Sequence, residues 1–286
     1  MIIGCIGLGR MGSGVCQSII RKGYKVWAYD INPQAALAFE GKASIAHSLV
    51  EIRDICDCFI VSLPGSIEVE QLVNEMLSYN ISGKVIIDIS TSFPGSTKKL
   101  AGKVCEAGGV LLDVPLAGTP AAAAEGKLSV YVGGSREGYE RVEEIIKAFA
   151  ENIQYMGDSG SGNIAKLVNN YLAIMYCNLY AEIFPLAESL GMDPTLLFES
   201  ISKTGVACMP YKLYAKKIVE REYPISFSVD LACKDMTYVA LLAEEAGVEL
   251  PLLTQGLGML VRTSGDGMGG LDISVAAENV RRLFKR

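Results

Sequence analysis

An apolar run at residues 2–6 ends on Gly7-Leu8-Gly9-Arg10-Met11-Gly12. A pattern of helical spacing follows through Ile19 and Ile20, and a second strand pattern at residues 25–29 then delivers Asp30. This succession of strand, glycine turn, helix and strand restricts the chain more than any other stretch. The first glycine permits a tight turn, the second admits a pyrophosphate to the backbone, and the third lets the helix pack on the strand. The helix N-terminus itself attracts phosphate. A glycine turn between strand and helix need bind nothing, but the acidic residue 18 positions beyond Gly12 completes a dinucleotide-binding pattern. Gly7, Leu8, Gly9, Arg10, Met11, Gly12 and Asp30 are therefore the candidate cofactor residues. A carboxylate at position 30 accepts from both ribose hydroxyls of NAD, whereas the 2′-phosphate of NADP would bring like charge against it. No arginine follows in Ile31-Asn32-Pro33, so NAD is favoured over NADP.

Strand patterns recur at residues 58–62, 85–89, 110–114, 129–132 and 153–156, alternating with helical ones. Such alternation specifies an α/β fold with a doubly wound, mostly parallel sheet of the Rossmann type. Strand signals stop after Gly162, and the rest of the chain reads as helices separated by Pro194, Gly205, Pro210, Pro224, Pro251 and a glycine-rich stretch at residues 265–270. At 286 residues the chain exceeds one typical core, which predicts a dinucleotide-binding domain over residues 1–160 and an all-helical domain over 161–286. One helix over 162–190, roughly 40 Å long, links them. Pro185 is expected to kink it or end its first segment.

Several chemistries are excluded. His47 is the only histidine, which removes most Ser–His–Asp, Cys–His and histidine-ligated metal schemes. It falls at a helix start, where a surface or capping role is the plain reading. The eight cysteines form no CxxC pair or zinc spacing and read as reduced core fillers, so no metal is expected. With a net charge of −6, and acidic residues interspersed everywhere but residues 281–286, a nucleic-acid face is not expected. Every long apolar stretch is interrupted, as at Asn169, Asn170, Asn178 and Glu182, so no membrane span is expected either. The N-terminus opens on a strand pattern without a charged-then-apolar leader, which places the protein in the cytoplasm by default.

A second constellation begins at Gly160-Ser161-Gly162 and runs through Lys166 to Asn170. Lys166 and Asn170 are four apart, so one helix face carries both, and the apolar neighbours of Lys166 lower the cost of losing its proton. Taken with the glycine turn and Lys234-Asp235, this segment closely resembles the 3-hydroxyacid dehydrogenase family over essentially the whole chain. The resemblance implies an NAD-dependent dehydrogenase or semialdehyde reductase acting on a small 3-hydroxy acid or its semialdehyde, as a homodimer or homotetramer. It makes Lys166 the general acid–base and Asn170 its orienting partner. It also brings Leu63-Pro64, Ser90-Thr91 and Lys234 to the cofactor. The family's substrate loop carries a serine where this chain has Ala117, followed by Gly118 and Thr119. These three are the candidate substrate contacts, with Thr119 offering a hydroxyl from a different direction. Asp113-Val114-Pro115 and Thr119 look more like the sulfolactaldehyde reductase branch, but Gly118 stands where that branch has arginine. An imine reductase on the same architecture is a rival that Lys166 with Asn170 argues against. The rival from another class is a non-catalytic NAD-binding scaffold.

Overall fold

The computed structural model describes residues 1–284; Lys285 and Arg286, the end of the basic run, lie outside the described residues. Two compact units divide within one helix, the first covering Met1–Lys166 and the second beginning at Leu167.

The first unit is built on nine strands: β1 Ile3–Ile6, β2 Val26–Tyr29, β3 Ser44–Ile45, β4 Cys58–Val61, β5 Val85–Asp88, β6 Val110–Asp113, β7 Leu116–Ala117, β8 Leu128–Gly133 and β9 Ala150–Gly157. From one edge the order begins β3-β2-β1-β4-β5-β6, all parallel. β8 then runs antiparallel to both β6 and β7, and β9 is parallel to β8. The pairs Asp113↔Gly133, Leu116↔Val130 and Ala117↔Ser129 keep a single register, so β6 and β7 form one ladder along β8, parted at Val114-Pro115. Proline cannot donate to a ladder, which accounts for the gap.

Burial on both faces explains the apolar runs of the central strands. Cys5, Cys58, Ile60, Val85 and Ile87 join the core on one face with Val15, Cys16 and Ile19, while Ile6, Phe59, Val61 and Ile86 join the other with Ile52, Val73, Met76 and Val104. The covering helices are α1 Arg10–Arg21, α2 Pro33–Leu37, α3 Leu49–Ile55, α4 Ser66–Leu77, α5 Pro94–Glu106, α6 Pro120–Glu125 and α7 Arg136–Ile146.

The long helix α8 spans Ser161–Ser189 and carries the chain from the first unit into the second. It passes Pro185 unbroken, contrary to one form of the expectation. Ala181, Phe184 and Pro185 are all buried, so packing on that side outweighs one lost N–H donor. The second unit continues as α9 Pro194–Ile201, α10 Lys216–Glu220, α11 Val229–Glu245, α12 Pro251–Thr263 and α13 Ala276–Leu283. Its core gathers Ile174, Cys177, Val229, Met236, Leu260 and Ile273. No helix among the described residues is long and apolar enough to cross a membrane. Of the cysteines, five are buried, Cys208 and Cys233 are half-buried, and Cys105 is exposed on α5, so the core-filler reading fails for Cys105.

Candidate active site

The three glycines of the first turn do three different things. Gly7 has φ +85°, and a Cβ there would run into the carbonyl of Ser62 at the end of β4. A Cβ on Gly12 would collide with the carbonyl of Gly7, so the helix lies directly on its own entry turn. Around Gly9 nothing stands within 4 Å of a Cβ position, which leaves the backbone open where a phosphate would approach. Gly9 precedes α1, whose first turn holds no acidic residue and begins with the exposed Arg10. Leu8 and Met11 differ from the glycines: their side chains pack into the core, so only their backbones face the turn.

Asp30 ties that turn to β2. Its Oδ2 accepts the Leu8 N–H (2.6 Å) and its Oδ1 accepts the Asn32 N–H (2.8 Å). Each oxygen retains acceptor capacity for a ribose hydroxyl. Beside it opens a cavity of about 220 Å³ lined by Asp30, Ile31, Pro33, Ala46 and His47 among others. The Ser48 hydroxyl caps α3 by accepting the Glu51 N–H (3.2 Å), and the Glu51 carboxylate accepts the His47 N–H (2.8 Å). This reciprocal cap holds His47 just before the helix, and its side chain lines the cavity. The sequence assigned His47 a surface or capping role and missed its place beside Asp30.

The strand ends of the first unit are joined by a buried polar network that the sequence did not reveal. Leu63 N–H donates to Ser90 Oγ (2.9 Å), and Phe93 N–H donates to Ser66 Oγ (2.6 Å), which stitches the Leu63-Pro64 loop to the segment holding Thr91. Asp88, at the end of β5, accepts from Ser90 N–H (2.9 Å) and Ser92 Oγ (3.1 Å). Asn163 Oδ1 accepts the Ser92 N–H, and its amide donates to Thr97 Oγ1, both at 3.1 Å. Asp113, at the end of β6, accepts the Gly160 N–H (2.8 Å) and the Asn163 N–H (2.9 Å). Asp88, Asp113 and Asn163 are almost wholly buried. Lys166, half-buried, lies three residues beyond Asn163 on α8. The signal available was only that Asp88 and Asp113 each close a strand.

Burial drives the Asp88 carboxyl up from 3.8 to about 6, opposed by its bonds to Ser90 and Ser92 and reinforced by the nearby charge of Asp113. Burial likewise raises Asp113, against the N–H groups it accepts. A raised folded pKa means that the folded state holds the Asp88 proton more tightly than the unfolded one. Stability from this group is therefore full below about 4 and lost as pH rises through about 6, a difference of up to about 3 kcal/mol. Asn at position 88 keeps both bonds, accepting from Ser90 and donating to Ser92, without an ionisation. Asp88→Asn should raise Tm at pH 7.5 relative to the parent and do so much less at pH 4.5; an equal shift at both values would contradict this assignment.

In the second unit Asn170 is buried, and its amide donates to Asp235 Oδ2 (2.6 Å). Lys234 Nζ lies 3.2 Å from Asp235 Oδ1 and 5.2 Å from the centre of the Tyr238 ring. Asp235 thus orients Asn170, a function not assigned to it from sequence. Within the first unit Ala117 sits in β7 opposite Ser129. Gly118 has φ +144°, and a Cβ there would come within 2.8 Å of Leu128 Cδ2. Thr119 is the N-cap of α6, its Oγ1 accepting the Ala122 N–H (3.2 Å), which leaves its hydroxyl proton to donate.

Two family models cover the chain. Residues 2–157 match the NAD binding domain of 6-phosphogluconate dehydrogenase. Residues 160–280 match a second domain, described as NAD-binding, of NADP-dependent 3-hydroxyisobutyrate dehydrogenase. The L-threonate dehydrogenase of Cupriavidus necator is 29% identical over 95% of this chain and 93% of its own length. The mitochondrial 3-hydroxyisobutyrate dehydrogenase of Rattus norvegicus is 33% identical over 74% of this chain and 64% of its own. A solved structure of Mycobacterium tuberculosis 3-hydroxyisobutyrate dehydrogenase has the same fold, with a TM-score of 0.89 at 24% identity, covering 98% of this chain and 99% of that one. The glycine turn with its acceptor Asp30, and the helix bearing Lys166 and Asn170, both fall within the matched family models, which together span residues 2–157 and 160–280, and the chain belongs to the 3-hydroxyacid dehydrogenase family.

Proposed function

We propose that the chain is an NAD-dependent oxidoreductase interconverting a small 3-hydroxy acid and its semialdehyde, with Lys166 as general acid–base. The observation that carries this reading is the placement of Lys166 on a helix whose first turn is bonded to the strand ends beside Leu63 and Ser90. Open backbone at Gly9, the Asp30 carboxylate and the adjoining cavity fit a dinucleotide. Gly7–Gly12 would hold its pyrophosphate and Asp30 its ribose, with the apolar cavity suited to the base. When bound, the nicotinamide supplies the hydride acceptor.

The chain's own part is proton handling and positioning. In oxidation the Lys166 amine takes the proton from the substrate hydroxyl, and in reduction its ammonium returns that proton to the forming alkoxide. Asn170, held by Asp235, directs its remaining amide capacity toward the substrate. Ala117, Gly118 and Thr119 meet the acid group, with the Thr119 hydroxyl as donor.

The test is steady-state kinetics with both cofactors against succinic, methylmalonic, tartronic and sulfolactic semialdehydes. A kcat/KM preference for NADH of at least about tenfold is expected from the charge at Asp30, and a preference for NADPH would reject the cofactor assignment. Binding of NADH without turnover of any panel member would favour a scaffold instead. An exposed apolar row along α8, including Val168, Leu172, Leu179 and Ile183, supports a homodimer or homotetramer, which light scattering reads directly.

A further inference from the structure

We propose that Asp113 is a positioning residue for Lys166, acting by capping α8 from the end of β6; this rests on the general acid–base reading above. The N-terminus of a helix leaves donors that a side chain at the N-cap normally accepts, with a second acceptor serving the N-cap's own N–H. Gly160, just before α8, has no side chain to do this. Asp113 does both tasks with its two oxygens, Oδ1 on the Gly160 N–H and Oδ2 on the Asn163 N–H.

Two glycines, Gly133 and Gly162, make room for that carboxylate. A Cβ on Gly133 would lie 2.6 Å from both Asp113 oxygens, and one on Gly162 would lie 2.9 Å from Oδ2. The Asn163 side chain then grips the Ser92 N–H and Thr97 Oγ1. A helix held at one residue through its backbone by the end of β6 and through its side chain by Ser92 and Thr97 resists rotation about its axis. Lys166 is one turn on from Asn163, so its azimuth is set by the same bonds. A general base displaced by an ångström loses most of its effect.

Asp113→Asn preserves shape but turns an amide donor toward one of the two N–H groups. Four proteins are compared below their melting temperatures: parent, Asp113→Asn, Lys166→Ala and the double variant. NADH affinity by fluorescence serves as the control at the glycine turn. Acting through Lys166, Asp113→Asn should lower kcat about 10–100-fold in the parent and less than about threefold in the Lys166→Ala background. NADH affinity should change by no more than about twofold. An equal fold-loss in both backgrounds, or no loss in the parent, overturns the positioning role. Retention of turnover by Lys166→Ala overturns the acid–base reading itself, and the role of Asp113 with it. If Asp113→Asn does not fold, Asp113→Ser replaces it, since its smaller hydroxyl side chain cannot accept both the Gly160 and Asn163 N–H groups. The same non-additivity is expected, and the same equal losses overturn the proposal.

Discussion

Replacing Lys166 with alanine should lower kcat by about 10²–10⁴ while leaving the affinity for NADH near that of the parent. The size follows from what is removed. Without the lysine, oxidation must pass the substrate proton to water as hydride leaves, and reduction must build an alkoxide with no acid to neutralise it. The affinity should hold because the turn assigned to the dinucleotide is tied to the end of β2 by the Gly7 N–H on the Tyr29 carbonyl and the Leu8 N–H on Asp30 Oδ2. His47 supplies a useful contrast: it lines the cavity beside Asp30, and the proposed mechanism gives it no part in proton transfer. Its replacement should leave the pH–rate profile intact, whereas loss of Lys166 should abolish the limb that reports the base. Near-parental turnover by the alanine variant, measured by single-turnover absorbance at 340 nm, would show another group to be the proton carrier.

Gly7→Ala should lower stability by roughly 2–4 kcal/mol and remove measurable NADH binding. Two penalties combine at this residue. Its φ of +85° is strained for any residue with a Cβ, and the added atom would press on the Ser62 carbonyl, which is backbone and has no flexible end to swing aside. Relief requires β1 and β4 to part at Ile6 and Val61, which are paired directly. The same movement pulls the Leu8 N–H from Asp30. Thermal melts and fluorescence titration check both effects. A variant with unchanged Tm would show that the turn relaxes more easily than its packing implies.

What could be read from the chain depended on how far apart the interacting residues lie. The glycine turn was legible because its glycines act on their own backbone and on the next strand, and Asp30 closes the unit it opens. Lys166 and Asn170 were legible as a helical spacing. The seven longer strands carried β-branched runs, but β3 and β7 are two residues each and leave no periodicity. The Asp88–Asn163–Asp113 network joins residues separated by as many as 71 positions, and nothing local marks an aspartate at a strand end as a helix cap. Pro185 misled in the opposite sense, because its local signal was strong and the packing of Ala181 and Phe184 prevailed. Asp235 was visible in its motif, yet its hold on Asn170 spans 65 positions and shows only in the fold.

The ladder of β6 and β7 along β8 sets how this loop is free to diverge. Because Asp113↔Gly133 and Leu116↔Val130 share one register, the Val114-Pro115 segment has a fixed length between two anchored pairs. One residue more or fewer would either turn Ala117 to the other face of the sheet or pull Asp113 away from the start of α8. Descendants of this chain are therefore free to change what stands at 117 to 119 but not how many residues lead there. If residues 117–119 meet the acid group as proposed, its selectivity is open to evolution by substitution, while drift by insertion is closed by the same carboxylate that bonds the start of α8.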